Sequence, residues 1–278
     1  MKDRSIPIAV STGSLYPRPT LESIQELKEL GVQDVELTLQ SSEFFLTFER
    51  KLHMPILPEL LSLVQNGTLC VRSVHAPSIC AAHLTSLWAR KQYLIHSLEV
   101  CNVLGGNILV IHPLHLFLNQ ESAIEYLLGI TSLLPSLLLP GVEEIIEKAH
   151  SLRVMLAMEN IQEWQDEIFF NAPKNMSRFL RDMNHSTMGC TLDLMHAQFP
   201  GVLNDFIESV SEDIVNIHAS DLLPPIKRAA IGKGVIDWKH VMPKLQELPN
   251  LRQITVELSH PQADEVTESV DFLSASIS

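Results

Sequence analysis

Met188-Gly189-Cys190-Thr191-Leu192-Asp193-Leu194-Met195-His196 is the segment on which the fold reading turns. Its side chains are mostly apolar or β-branched without alternation, and it closes on a carboxylate and an imidazole. Continuous apolar character over a short run marks a parallel strand covered on both faces. Seven similar runs flank it, Ile6–Gly13, Asp34–Leu39, Cys70–Pro77, Asn107–Pro113 and Val154–Asn160 before it, Ile214–Asp221 and Gln253–Ser259 after it. With Met188–His196 that makes eight, and their starts lie 26 to 47 residues apart. Parallel neighbours need a crossover of a dozen or more residues, and these intervals supply it.

Helical patterns fill the intervals. Thr20 is placed to cap a helix with Leu21, Ile24, Leu27 and Leu30 on one side, and Gly31 to stop it. Thr85 is expected to cap another, which Gly105-Gly106 closes. Eight βα units predict an α/β fold, a (β/α)8 TIM barrel. An open doubly wound sheet is the alternative, but no G-x-G-x-x-G follows the first run. No linker, charge block or low-complexity tract divides the chain, so residues 1–278 are expected to form a single domain.

Composition narrows the function. Of 278 residues 46% are hydrophobic and 19% charged, too apolar for disorder. A net charge of −13 disfavours nucleic acid and anionic membranes as partners. Cys70, Cys80, Cys101 and Cys190 form no C-x-x-C pair and read as free thiols of a cytoplasmic protein. The first residues lack the apolar core of a signal peptide. The most apolar stretch, Ile124 to Val142, is broken by Gly129, Pro135 and Pro140, and is expected to form two short buried helices rather than a membrane span.

Barrel enzymes draw their chemistry from the C-terminal ends of the strands. Seven of the eight runs carry a metal-type side chain there: Glu36, His75, His112, Glu159, Asp193 with His196, His218 with Asp221, and Glu257. Any one alone reads as a hydrogen-bonded core residue or a loop anchor. Together at one barrel end they would bury several unpaired charges at several kcal/mol each, and a shared cation satisfies them all.

The ordered series SVHAP, LVIHP, MEN, GCTLDLMHA, NIHASD, IGKGVIDW and ITVELS resembles the xylose isomerase-like TIM-barrel superfamily. That group includes endonuclease IV-type AP endonucleases, ketose 3-epimerases, and inosose and hydroxypyruvate isomerases. The resemblance implies one divalent ion (Mn, Zn, Mg or Co) held by Glu159, Asp193, His218 and Glu257. Glu159 and Glu257 then double as the pair that moves a proton beside a carbonyl. It also implies that His75 and His112 either line a sugar pocket or, with Glu159, hold a second ion.

The AP endonuclease pattern needs an Asp-x-His before the I-G-x-G segment for its third zinc. Ile226 and Arg228 stand at those places, and an Arg there is the isomerase and epimerase habit. Arg228, His196, Glu36 and Lys233 are accordingly expected to contact substrate. Lys227, Arg228 and Lys233 beside Gly232-x-Gly234 make a phosphate-bearing sugar an open option, as does a neutral one. The expected activity is a metal-dependent isomerase or epimerase of a sugar or sugar phosphate. A zinc phosphodiesterase and a barrel that binds sugar or metal without turnover are the alternatives. Leu-rich helix faces point to a homo-oligomer.

Overall fold

The computed structural model describes residues 6–46, 52–77, 84–112, 142–161, 172–199, 201–225 and 227–277. All eight apolar runs are strands: β1 (Ile8–Ser11), β2 (Asp34–Thr38), β3 (Cys70–His75), β4 (Ile108–Ile111), β5 (Met155–Glu159), β6 (Met188–Asp193), β7 (Ile214–Ala219) and β8 (Gln253–Val256). They pair in parallel, each with its neighbour in sequence, and β8 closes on β1 through Ile8 opposite Ile254 and Val10 opposite Val256. Every residue of β4, β6, β7 and β8 is buried, which explains why these runs do not alternate. The strands are shorter than the apolar runs. His196, read as the tail of a strand, lies on the short helix Leu194–Gln198 that follows β6.

Helices cover the outside. Leu27, Leu98, Phe179, Phe206, Leu245 and Leu273 are wholly buried between them and the strands. Burying each such side chain contributes about 1.5–3 kcal/mol. The helix Thr20–Glu29 starts one residue earlier than a Thr20 cap requires, because Pro19 holds the N-cap and Thr20 is the first helical residue. One orphan donor is satisfied from outside: the Thr20 N–H donates to the Glu43 carboxylate at 2.9 Å, and the Thr20 hydroxyl donates to the same carboxylate at 2.7 Å. Gly31 ends that helix at φ +78°, a conformation costly for a residue with a Cβ. Thr85 likewise lies inside its helix, Leu84–Val103, and Gly105 follows that helix at φ +84°.

Inside the barrel, Ile108, Val110, Ala157 and Val215 form a small apolar cluster with Met155. Beside and above it the lining turns polar. Two register shifts set that lining. Val35 pairs with Val71 but Glu36 with Ser73, and Cys190 pairs with Ile214 but Thr191 with Asn216. Each extra residue re-aims the chain as a β-bulge does, and brings Ser73 level with Glu36 and Asn216 level with Thr191.

The stretch Ile124 to Val142, expected as two helices, lies outside the described residues through position 141, where a helix Val142–Leu152 begins. Cys80 and Ile226 lie outside them too. Among the described residues no helix is long and apolar enough to cross a membrane.

Candidate metal centre

Chain geometry puts the polar residues at one mouth. His75 ends β3, His112 follows β4, Glu159 ends β5, Asp193 ends β6, His218 is the penultimate residue of β7, and Glu257 follows β8. Parallel strands of one barrel share a polarity, so all six emerge on the C-terminal side. One ligand atom from each of Glu159, Asp193, His218 and Glu257 lies within 4.8 Å of the others, and the same holds for His75, His112 and Glu159. Glu159 joins the two groups with a different oxygen for each. Its Oε2 is 3.1 Å from His75 Nε2 and 3.0 Å from His112 Nε2, while its Oε1 is 3.3 Å from His218 Nδ1.

The protonation states follow from burial and neighbours. Burial pushes the fully enclosed His218 imidazole down, but Glu36, Glu257 and Glu159 outweigh it and hold its pKa well above the ordinary histidine value. Burial likewise raises Glu159, yet His218 and His112 bring it well below the usual carboxylate range. Arg228 and His218 overcome burial in the same way at Glu257. At His112 burial prevails and lowers the pKa, whereas at His75 the contact with Glu159 wins and raises it.

These groups fit a cation. His218 has carboxylate oxygens at 3.0, 3.1 and 3.3 Å, but neither ring nitrogen makes an aligned hydrogen bond. Buried polar atoms without partners are rare and costly. His75 Nδ1 is 2.8 Å from the Ala76 carbonyl, so it carries a proton and donates it there. A neutral His75 therefore aims a bare Nε2 lone pair at Glu159, an arrangement that needs a proton or a cation between them. Two carboxylate charges within 4.8 Å of each other repel by at least about 3.5 kcal/mol at an effective dielectric of about 20, and a divalent ion between them reverses that sign. Three carboxylates and one imidazole suit Mn²⁺, Mg²⁺, Co²⁺ or Zn²⁺, while the His75–His112–Glu159 group is richer in nitrogen and suits Zn²⁺.

Arg228 and His196 close one side. Arg228 Nη2 is 2.7 Å from Asp193 Oδ2, 3.0 Å from Glu257 Oε2 and 3.2 Å from His196 Nε2, and Nη1 donates to Ser220 Oγ at 2.9 Å. Asp193 caps the helix Leu194–Gln198 by accepting from the His196 N–H at 2.8 Å, which is why an imidazole three residues after the acid returns to the same site. His196 Nδ1 donates to the Asn160 carbonyl at 2.8 Å, leaving Nε2 to accept from Arg228. Asn160 also clamps Asp193, its Oδ1 accepting the Asp193 N–H at 2.7 Å and its amide donating to the Asp193 carbonyl at 3.1 Å. Sequence reasoning missed Asn160, and its position right after Glu159 was the available signal.

Two expected substrate contacts lie elsewhere. Glu36 is wholly buried beneath His218, held by Ser73 and Asn216, and has no open side for a substrate. Lys233 is 59% exposed and pairs with Glu268 of the C-terminal helix at 3.1 Å, away from the cluster. Asp221 is not part of the centre either. Its carboxylate accepts from the N–H groups of Leu222, Gly232 and Ile236 and from Trp238 Nε1, all at 2.8–3.0 Å. The Gly232-x-Gly234 motif serves this anchor: a Cβ at Gly234 would stand 2.3 Å from Asp221 Oδ1. Asp221–Leu223 pairs in turn with Lys227–Ala229, the short strand that carries Arg228.

Comparison with known proteins places the chain. A stretch of 120 residues is 25% identical to an uncharacterized protein of Methanocaldococcus jannaschii, covering 42% of this chain and 41% of that relative's length. The fold superposes on the crystal structure of a D-tagatose 3-epimerase-like protein with a TM-score of 0.76 at 19% identity, covering 98% of this chain and 97% of the other. It also superposes on the IolI protein, solved with a binding zinc atom, with a TM-score of 0.69 at 17% identity and 98% of both chains covered. The model of the xylose isomerase-like TIM barrel family matches residues 24–276, and the chain belongs to that family.

Proposed function

We propose that the protein is a metal-dependent isomerase or epimerase of a sugar or sugar phosphate, with Glu159, Asp193, His218 and Glu257 as the ligands. The observation that carries this reading is their convergence within 4.8 Å around the buried His218 ring, whose nitrogens make no aligned hydrogen bond. The likeness to a D-tagatose 3-epimerase-like protein and to a zinc-bearing relative points the same way. Bound among these residues, a divalent ion supplies Lewis-acid polarisation of a substrate carbonyl and its neighbouring hydroxyl. Glu159 and Glu257 take and return the proton at the adjacent carbon, and their lowered pKa values keep them ionised, the form a proton acceptor needs. Arg228, with its side chain 11% exposed at the mouth, orients substrate oxygens, and His196 supports it.

The His75–His112–Glu159 group favours a second reading, a zinc phosphodiesterase of the AP endonuclease type. Arg228 weighs against it. Where that pattern requires a histidine ligand, this chain places a guanidinium between Asp193 and His196, so a fixed positive charge fills the corner that a third zinc would use.

Protein loaded in turn with Mn²⁺, Co²⁺, Mg²⁺ and Zn²⁺ is to be incubated with ketoses and ketose phosphates in deuterated water. Deuterium should enter next to the carbonyl of at least one of them, and Glu257→Gln should slow that entry by about 100-fold or more. Cleavage of abasic duplex without exchange would replace this reading with the phosphodiesterase. Bound metal with neither activity would leave a barrel that binds without turnover.

A further inference from the structure

We infer that Glu36 is a positioning residue that decides which ring nitrogen of His218 faces the cation, and that the polar lining beneath it serves to orient Glu36. This deepens the metal-dependent reading above and rests on it. Glu36 Oε1 lies 3.0 Å from His218 Nε2, on the side of the ring opposite Nδ1, which faces Glu159 and Glu257. Neither of these buried atoms has another hydrogen-bond partner, so a proton on Nε2, drawn by the Glu36 charge at that distance, leaves the Nδ1 lone pair for a metal ion. Carboxylates behind ligating histidines fix ring tautomers in this way.

The hydrogen bonds beneath Glu36 run in one direction. Gln253 Nε2 donates to Ser73 Oγ at 2.7 Å and to Thr255 Oγ1 at 3.0 Å, so each hydroxyl must send its own hydrogen onward. Ser73 passes its hydrogen to Glu36 Oε2 at 2.8 Å. Thr255 donates to Asn216 Oδ1 at 3.2 Å, which turns the Asn216 amide nitrogen toward the same Glu36 Oε2 at 3.3 Å. All of these side chains are buried, and the two register shifts put Ser73 and Asn216 where they meet Glu36. One oxygen of Glu36 thus collects both donors while the other is kept for His218.

Glu36→Gln tests this sharply. The amide oxygen of a glutamine is drawn to the place where Ser73 and Asn216 donate. Its NH2 then faces His218 Nε2 as a donor, which forces the proton onto Nδ1 and removes the lone pair from the cation site. Zn²⁺ affinity, measured by competition with a chelator, should fall by about 10- to 100-fold. The visible spectrum of the Co²⁺-loaded protein should change with it, a readout that mere loss of packing does not move. Ser73→Ala removes one donor but keeps the carboxylate, and should weaken Zn²⁺ by a smaller factor of about threefold or more. It keeps the inference testable where Glu36→Gln does not fold. Affinity within about twofold of wild type in both folded variants, with an unchanged cobalt spectrum, overturns the role of Glu36 while leaving the metal centre standing. Wild-type protein that binds neither Zn²⁺ nor Co²⁺ overturns the metal reading itself.

Discussion

Replacing Asp221 tests how the mouth of the barrel is held. Its wholly buried carboxylate receives four donors, the N–H groups of Leu222, Gly232 and Ile236 and the indole of Trp238, at 2.8–3.0 Å. Asp221→Ala strands all four. A buried unsatisfied donor costs about 1–3 kcal/mol, and the lower end is taken because Gly232 and Lys233 of this loop are exposed, so the freed segment can relax toward solvent. The loss should therefore be about 4 kcal/mol, a large share of a typical stability of about 5–15 kcal/mol. Asp221→Asn keeps one acceptor oxygen and sets an NH2 against the other two donors, so about half that loss is expected. Urea unfolding of the metal-free protein, followed by circular dichroism, measures both, with an unchanged m-value as the check that only stability moved. The Asp221–Leu223 strand pairs with the one bearing Arg228, so the Asn variant should also bind substrate more weakly. A loss under about 1 kcal/mol for Asp221→Ala would refute the claim that this carboxylate pins the loop.

Further outcomes follow from the same structure. Gly234→Ala drives a Cβ to 2.3 Å from Asp221 Oδ1 and 2.4 Å from the Leu222 carbonyl, and should cost about 1–3 kcal/mol in the same assay. Burial pushes the Cys101 thiol up to about 12 and that of Cys190 higher still, whereas unfolded thiols ionise near pH 9. Above that pH the unfolded chain binds fewer protons than the native one, so stability should fall by about 1.4 kcal/mol per pH unit and thiol. The double variant Cys101→Ala, Cys190→Ala should show a correspondingly shallower decline between pH 9 and 10.5. Saturating Zn²⁺ or Mn²⁺ at about 100 times Kd should stabilise the protein by about 2.7 kcal/mol, raising Tm by several degrees. His218→Ala should abolish that rise.

Much of this molecule is legible in its sequence because parallel strands buried on both faces write themselves as unbroken apolar runs. A lone acid or imidazole at the end of such a run is conspicuous, and Glu159, Asp193, His218 and Glu257 were visible for that reason. Depth is not written in the same way. Glu36 sits in a strand that looks like the others, but two residues before its end, and the extra residue Arg72 in the facing strand sets Ser73 beside it, under His218 rather than at the mouth. Lys233 read as an anion contact because glycines flank it, yet Gly234 gives room to Asp221 and Gly232 donates its N–H to it, and the lysine pairs outward with Glu268. The cap of the first helix was misassigned to Thr20 because the capping carboxylate, Glu43, arrives from 23 residues downstream. Asn160 passed unnoticed since an uncharged amide marks a metal site less plainly than an acid or an imidazole, though it holds both Asp193 and His196.

Crystals soaked in Mn²⁺ or Zn²⁺ and measured at the absorption edge of the metal address the main claim without assuming a substrate. One strong anomalous peak within bonding distance of Glu159, Asp193, His218 and Glu257 is predicted, and a second between His75 and His112 with Zn²⁺ would add the binuclear form. A fully soaked crystal with no peak among those four residues would contradict the account.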